Sequence, residues 1–340
     1  MAQSNYFMRL KNIGLILNVI AFGTSAMCVY AEENNLAGIP EEYLTTGEQS
    51  TALSNGGSLS SAGYSAVRSN PAMLAVDRIY TLGGGYHWPA KGREFYEAGV
   101  VDGRTSSIAA GLIYTSSMDD YEGSWNSNGE IKLGDTPVKR RATVALAYTF
   151  KTIAFGINGG FVETANPDST FNSDADRVRG YTAGLGAMAG ITNSIRAGLS
   201  VENLLNKTVE YAAPTIYRAG VAWAVSKDIN IYLDYRLRDA VFLYEGRAPD
   251  LGLINSAKKK NEGSDQEQAL MVGGMTKIYD LLRLTAGASF SNSGVKDTIA
   301  TSGGLALVNK AFNVSYSVQK PDSKLAELHH AASLGFDMAL

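Results

Sequence analysis

Along residues 229–238 apolar and polar positions alternate one by one. Ile229, Ile231, Leu233, Tyr235 and Leu237 share one face, and Asn230, Tyr232, Asp234, Arg236 and Arg238 share the other. Successive side chains of a β-strand point to opposite sides, so this segment is a strand with one greasy and one wet face. A wet face rich in Arg and Asp does not suit a packed soluble core. It suits the lumen of a membrane barrel whose other face meets lipid. The same rhythm recurs from residue 78 to the end. Val144, Leu146, Tyr148 and Phe150 oppose Thr143, Ala145, Ala147 and Thr149, and Phe312, Val314, Tyr316 and Val318 oppose Asn313, Ser315, Ser317 and Gln319.

Fourteen such strands are expected, at approximately 78–88, 94–101, 106–116, 138–150, 152–162, 178–190, 195–202, 215–225, 229–238, 268–276, 282–290, 298–308, 311–319 and 331–340. The connections alternate as well. Turn-sized links such as Lys151, Thr192-Asn193 and Asn309-Lys310 come after every second strand, and longer polar stretches such as 117–137, 163–177 and 239–267 come after the others, save the brief Pro89–Arg93 after the first strand. Short periplasmic turns and long extracellular loops are the habit of outer-membrane barrels. The fold class predicted is therefore all-β, a transmembrane antiparallel barrel of about 14 strands. Such a wall must close, because an open edge leaves backbone groups unsatisfied in lipid.

The first 31 residues carry an address. Arg9 and Lys11 precede the mostly apolar 13–26, and Val29-Tyr30-Ala31 supplies small residues before the polar Glu32-Glu33-Asn34. This is the layout of a signal peptide for Sec-type export, cut after Ala31. The single cysteine, Cys28, leaves with it, so the mature chain has no disulfide and no zinc–thiolate site. No later stretch has the run of about 20 apolar residues a membrane helix needs. The composition, 45% hydrophobic with 36 glycines and 18 tyrosines, is nonetheless that of a folded chain. With 30 basic against 33 acidic residues, the chain lacks the basic excess of a nucleic-acid binder.

Residues 32–77 differ from the alternating remainder of the chain. They are rich in Ser, Gly, Ala and Asn without sustained alternation, and too few for a core of their own. The organisation expected is a signal peptide at 1–31, an N-terminal plug at 32–77 inside the lumen, and the barrel at 78–340. In this segment Ser61-Ala62-Gly63-Tyr64-Ser65-Ala66, then Arg68-Ser69-Asn70-Pro71-Ala72-Met73-Leu74, then Asp77-Arg78 at the first strand, resembles the hatch of the long-chain fatty-acid transporter (FadL-like) superfamily. That superfamily, which includes aromatic-hydrocarbon channels and the PorV-type secretion barrels, carries an Asn-Pro-Ala motif just before its first strand. The resemblance implies a plug anchored at the turn Asn70, Pro71, Ala72. Physically, proline fixes its own φ and pushes the residue before it out of the helical region, and Asn70 can satisfy nearby backbone groups.

Candidate chemistry is sparse. Arg141, Arg196, Arg218, Arg236, Arg238 and Arg283 fall on polar faces of their strands, with Glu202, Asp234 and Asp337, and Arg68 lies in the plug. These form either a charge ladder bracing wall and plug or a site for the anionic head group of an amphipathic ligand, since Arg binds carboxylate as a fork. His87, His329 and His330 fall at the outer ends of the first and last strands, which are neighbours in a closed barrel. No fixed carboxylate partner is evident for them, so no metal is assigned. No spacing picks out a nucleophile, and the reading is of a non-enzyme without cofactor. In the loops Met118, Tyr121 and Trp125, with Ile131 and Leu133, make a small greasy patch for ligand contact. The partners expected are outer-membrane lipid, a hydrophobic small molecule and the barrel-assembly machinery. The leading function is passive outer-membrane transport of hydrophobic or amphipathic small molecules, such as long-chain fatty acids, between plug and wall. The alternatives are a PorV-type surface-assembly barrel that binds a protein partner, and a structural barrel.

Overall fold

The computed structural model describes residues 52–117, 140–165, 177–206, 213–239, 266–292, 297–321 and 328–338, apart from 55, 61–62, 77, 90–93, 280 and 310–311. The signal-peptide reading and residues 32–51 of the segment before the barrel lie outside them, as do the loop residues Met118, Tyr121, Trp125, Ile131 and Leu133.

The alternating segments form fourteen strands: β1 (Tyr80–Pro89), β2 (Phe95–Asp102), β3 (Ile108–Ser117), β4 (Arg140–Phe150), β5 (Ile153–Ala165), β6 (Arg177–Gly190), β7 (Ile195–Glu202), β8 (Ile216–Ser226), β9 (Ile229–Asp239), β10 (Gln266–Ile278), β11 (Leu282–Asn292), β12 (Asp297–Val308), β13 (Phe312–Pro321) and β14 (His329–Met338). Each pairs antiparallel with its sequence neighbours, and β1 pairs with β14 from Tyr80↔Met338 to Pro89↔His329, closing the barrel. Ends differ from the pattern by up to a few residues. β10, for example, extends through charged pairs such as Glu267↔Arg238 and Lys277↔Arg283, because ladder hydrogen bonds continue past the point where side-chain alternation fades.

The two faces of the wall match the alternation. Val144, Phe155, Ile157 and Leu233 point outward and are about half exposed, while Thr143, Ala145, Ala147 and Ala154 point inward and are buried. A closed ladder with an apolar outer face is what can stand in lipid without an unpaired edge. Aromatic pairs sit on the outward face toward the long-connection end, with Phe161–Tyr181 at 6.0 Å and Trp88–Tyr316 at 6.2 Å between ring centroids. Rings with a polar tip suit a lipid–water boundary.

The described residues of the 52–76 segment lie within the ring of strands. They contain helix α1 (Ala66–Ser69) and a 3₁₀ turn at Pro71–Ala75. Leu53, Leu59, Val67, Met73 and Leu74 are fully buried there, against Val101, Ile113, Ala145 and Ala154 of the wall. Each such side chain contributes roughly 1.5–3 kcal/mol of apolar burial. The contacts are possible because the wall presents almost no side chains at the points of approach. A Cβ on Gly156 would stand 2.4 Å from the carbonyl carbon of Pro71, and one on Gly186 would stand 2.3 Å from Asn70 Oδ1.

Candidate functional site in the lumen

Polar side chains of the wall reach the backbone of residues 52–76 from many sides. Asn158 Nδ2 on β5 donates to Val67 O at 2.9 Å, Ser200 Oγ on β7 to Ser69 O at 2.7 Å, and Thr149 Oγ1 on β4 to Ala75 O at 2.8 Å. Across the barrel, Ser302 Oγ on β12 donates to Ala52 O at 2.9 Å. Asp234 on β9 accepts from Gly57 N at 2.7 Å, from Ser58 N at 3.1 Å and from the Ser58 hydroxyl. Gly57 has φ +78°, and a Cβ there would strike Leu53 Cδ1, so this turn toward Asp234 needs a glycine. Tyr64 lies against Gly83 and Gly99 and donates to Glu97 Oε1 on β2 at 3.2 Å.

The Asn-Pro-Ala sequence builds a helix start. Asn70 is the N-cap of the 3₁₀ turn, its Oδ1 accepting from Ala72 N at 3.2 Å, and Pro71 comes next, where its missing N–H costs nothing. The carboxamide is completely buried against Gly186 and Gly198.

Beside this turn a charged group converges on β7–β9. Arg218 Nε donates to Glu202 Oε1 at 2.9 Å, and Arg68 Nη2 from α1 stands 3.9 Å from Glu202 Oε2. Arg141 Nη2 on β4 donates to Asn203 Oδ1 at 2.6 Å, and Asn203 takes φ +61°, a left-handed conformation that Asn tolerates. Arg236 and Arg238 lie on the adjacent strand, with Arg218↔Arg236 and Ile216↔Arg238 in register. All five arginines are more than nine-tenths buried. Among the described residues this side of the lumen sets five guanidinium groups against the carboxylates of Glu202 and Asp234.

The other two candidates lie elsewhere. Arg196 sits at the start of β7, opposite to the Glu202 end, and Arg283 occupies the second position of β11; both are half-buried at the short-turn end. The histidines separate too. His87 and His329 both turn inward and are buried, with ring centroids 5.6 Å apart and His87 stacked on Phe95 at 4.1 Å. His330 points outward, where its Nδ1 lies 2.6 Å from the Tyr316 hydroxyl and its ring stacks on Trp88. Of the three histidines at this end only His87 and His329 come together, because adjacent strand residues cannot share a face. His87 Nε2 stands 3.5 Å from Glu97 Oε1, a carboxylate partner that the sequence pattern does not announce because Glu97 shares its face with Phe95, Gly99 and Val101. Among the described residues no group of three or more His, Cys, Asp or Glu is placed to hold a metal ion.

On the outward side of β6–β9 the wall is dented. An apolar groove of about 500 Å³ runs over Ala187, Ala197, Ala219 and Val221 between bulkier neighbours such as Leu199 and Leu233. Behind it the wall is only backbone thick, since Gly198 faces Leu59 and Gly220 faces Ser58 on the lumen side.

No family model matches the chain, and no curated protein does. Solved structures do. The chain is similar to a "CymD monoaromatic hydrocarbon channel" (TM-score 0.60, 12% identity, 91% of this chain and 99% of that one). It is similar to the Ralstonia pickettii toluene transporter TbuX (0.59, 13%, 89% and 98%) and to a Pseudomonas aeruginosa FadL homologue (0.52, 12%, 89% and 98%). The chain thus has the fold of the FadL-like barrels: closed, antiparallel and fourteen-stranded. These neighbours are channels and transporters rather than enzymes.

Proposed function

We propose that this protein is an outer-membrane passive channel for hydrophobic and amphipathic small molecules, exported by the Sec route, with residues 32–77 as its plug. The observation that carries the reading is the seat of residues 52–76. They lie inside the barrel against bare glycine backbone, with a buried arginine group along one flank. A hydrocarbon tail fits the apolar boundary between this segment and the wall. A carboxylate head group fits the guanidinium groups of Arg218, Arg236 and Arg238, which lie together along this flank. The Asn70-Pro71-Ala72 turn holds the segment in register while ligand passes beside it, and the thin wall at Gly198 and Gly220 marks where the apolar path comes nearest to lipid. The architecture shared with hydrocarbon transporters supports this reading over surface assembly with a protein partner.

A fluorescent long-chain fatty carboxylate tests it. It should bind the purified barrel saturably, and an equally long neutral alcohol should bind more weakly. Arg236→Gln should weaken the carboxylate by roughly fivefold to a hundredfold, the range for losing a hydrogen bond to a charged group, and leave the alcohol unchanged. Absence of saturable binding by either ligand would remove the reading.

A further inference from the structure

The wall carries a second group of charges on the side that faces lipid. Arg140, Glu163 and Arg179 are register partners across β4, β5 and β6. Their parity is that of Val144, Ile157 and Leu185, all exposed outward. Arg179 Nε donates to Glu163 Oε2 at 2.8 Å, and Arg140 Nη1 stands 3.9 Å from Glu163 Oε1. The carboxylate is covered, its side chain 6% exposed, while the side chains of Arg140 and Arg179 are 47% and 65% exposed. Two residues nearer the middle of the wall, the outward pair Phe161–Tyr181 marks an aromatic belt, roughly 7 Å away at the usual strand rise.

From this placement we infer a binding site for the phosphorylated head group of a lipid in the leaflet at the long-connection end of the barrel. The argument is one of charge and depth. Charge on the lipid-facing side of a barrel is tolerated only toward the interface, and a group just beyond an aromatic belt sits at head-group level. The triad carries a net charge of one positive unit. Glu163 spaces the two guanidinium groups and takes one edge of Arg179, leaving the exposed edges of both to face the head groups. A guanidinium fork matches a phosphate oxygen pair, and two forks side by side match a phosphate better than a neutral head group. The neighbouring Arg141 shows the contrast, because one residue along the same strand it turns inward to Asn203. The bound lipid would sit over β4–β6 with its acyl chains against Val144, Phe155, Ile157 and Leu185, all exposed on this face. The inference rests on the membrane placement of the barrel and not on its transport activity.

The test is native mass spectrometry of the detergent-purified full chain with a diphosphorylated glucosamine-disaccharide lipid and with the same lipid dephosphorylated. The wild type should retain the phosphorylated lipid selectively. Arg140→Gln with Arg179→Gln should weaken retention at least fivefold, given the effect of roughly fivefold per basic residue at a membrane surface. Equal retention of both lipids by the wild type, or equal retention of the phosphorylated lipid by wild type and variant, would overturn the site. Faster gel migration of unheated than heated protein reports the folded barrel separately, so failure of the membrane reading is not mistaken for failure of the site. If the double variant does not pass that check, Arg179→Gln alone, at an exposed position, should still weaken retention several-fold. Glu163→Gln, which removes the only carboxylate of the triad, should retain the lipid at least as well as the wild type. Loss of binding there would also overturn the assignment.

Discussion

The two sides of the lumen hold residues 52–76 by different chemistry. Along β4–β9 the wall offers charge and short side chains. Asp234 takes three donors from Gly57 and Ser58, Asn158 and Ser200 reach carbonyls of α1, and Arg141 and Arg218 of the wall pair with Asn203 and Glu202, the latter also approached by Arg68 of α1. Along the closing seam β13–β14–β1–β2 the wall offers aromatic rings, two histidines and the carboxylate of Glu97. Phe95, His87 and His329 cluster there, and the Tyr64 hydroxyl ties the inner segment to Glu97 on β2. Among the described residues the first side makes more of these hydrogen bonds to the inner segment and carries more of the arginines than the second. Under the proposed function an anionic ligand binds beside the arginines of β7–β9, and movement of the inner segment is expected to begin at the seam.

The largest effect should come from removing what both sides hold. Deletion of residues 52–76 should leave a folded barrel, since its backbone bonds close without the segment. Single-channel conductance in a planar bilayer should then rise clearly. An unchanged conductance would mean that the segment does not occupy the pathway.

Gly156→Val attacks the charged side by bulk. Its side chain would enter the backbone at Pro71, where nothing flexible can yield, and should cost on the order of 3 kcal/mol in denaturant unfolding. Asp234→Ala removes the acceptor of three hydrogen bonds on the same side. It should cost about 2 kcal/mol and increase hydrogen exchange at Gly57 and Ser58. The seam variant Tyr64→Phe removes one hydrogen bond and should cost only about 1 kcal/mol. If Tyr64→Phe proves as costly as Asp234→Ala, the two sides are equally tied and the comparison fails.

The wall was legible in the sequence because parity is a local property. The outward sets of β4, β9 and β13 come from alternation alone, as do the inward faces of Arg141, Arg218, Arg236 and Arg238. The split of His329 from His330 was legible by the same rule. Depth and neighbourhood were not. Arg196 and Arg218 share the inward face, yet one lies at the short-turn end and the other beside Glu202. Only the register between strands tells them apart. Asn203, which holds Arg141, lies just beyond the end of β7, and Gly156 and Gly186 acquire their meaning only once Pro71 and Asn70 approach them. The outer triad was hidden for a related reason. Arg140, Glu163 and Arg179 are far apart along the chain and meet only through two successive pairings.

Under the proposed function an amphipathic anion crosses this barrel along the arginine flank of the inner segment. The most direct test is uptake of a long-chain fatty carboxylate into vesicles holding the purified protein, timed against a neutral alcohol of equal length. Both should enter faster than into protein-free vesicles, with Arg218→Gln and Arg236→Gln together slowing the carboxylate and sparing the alcohol. Entry no faster than in protein-free vesicles, or equal slowing of both molecules by the variant, would contradict it.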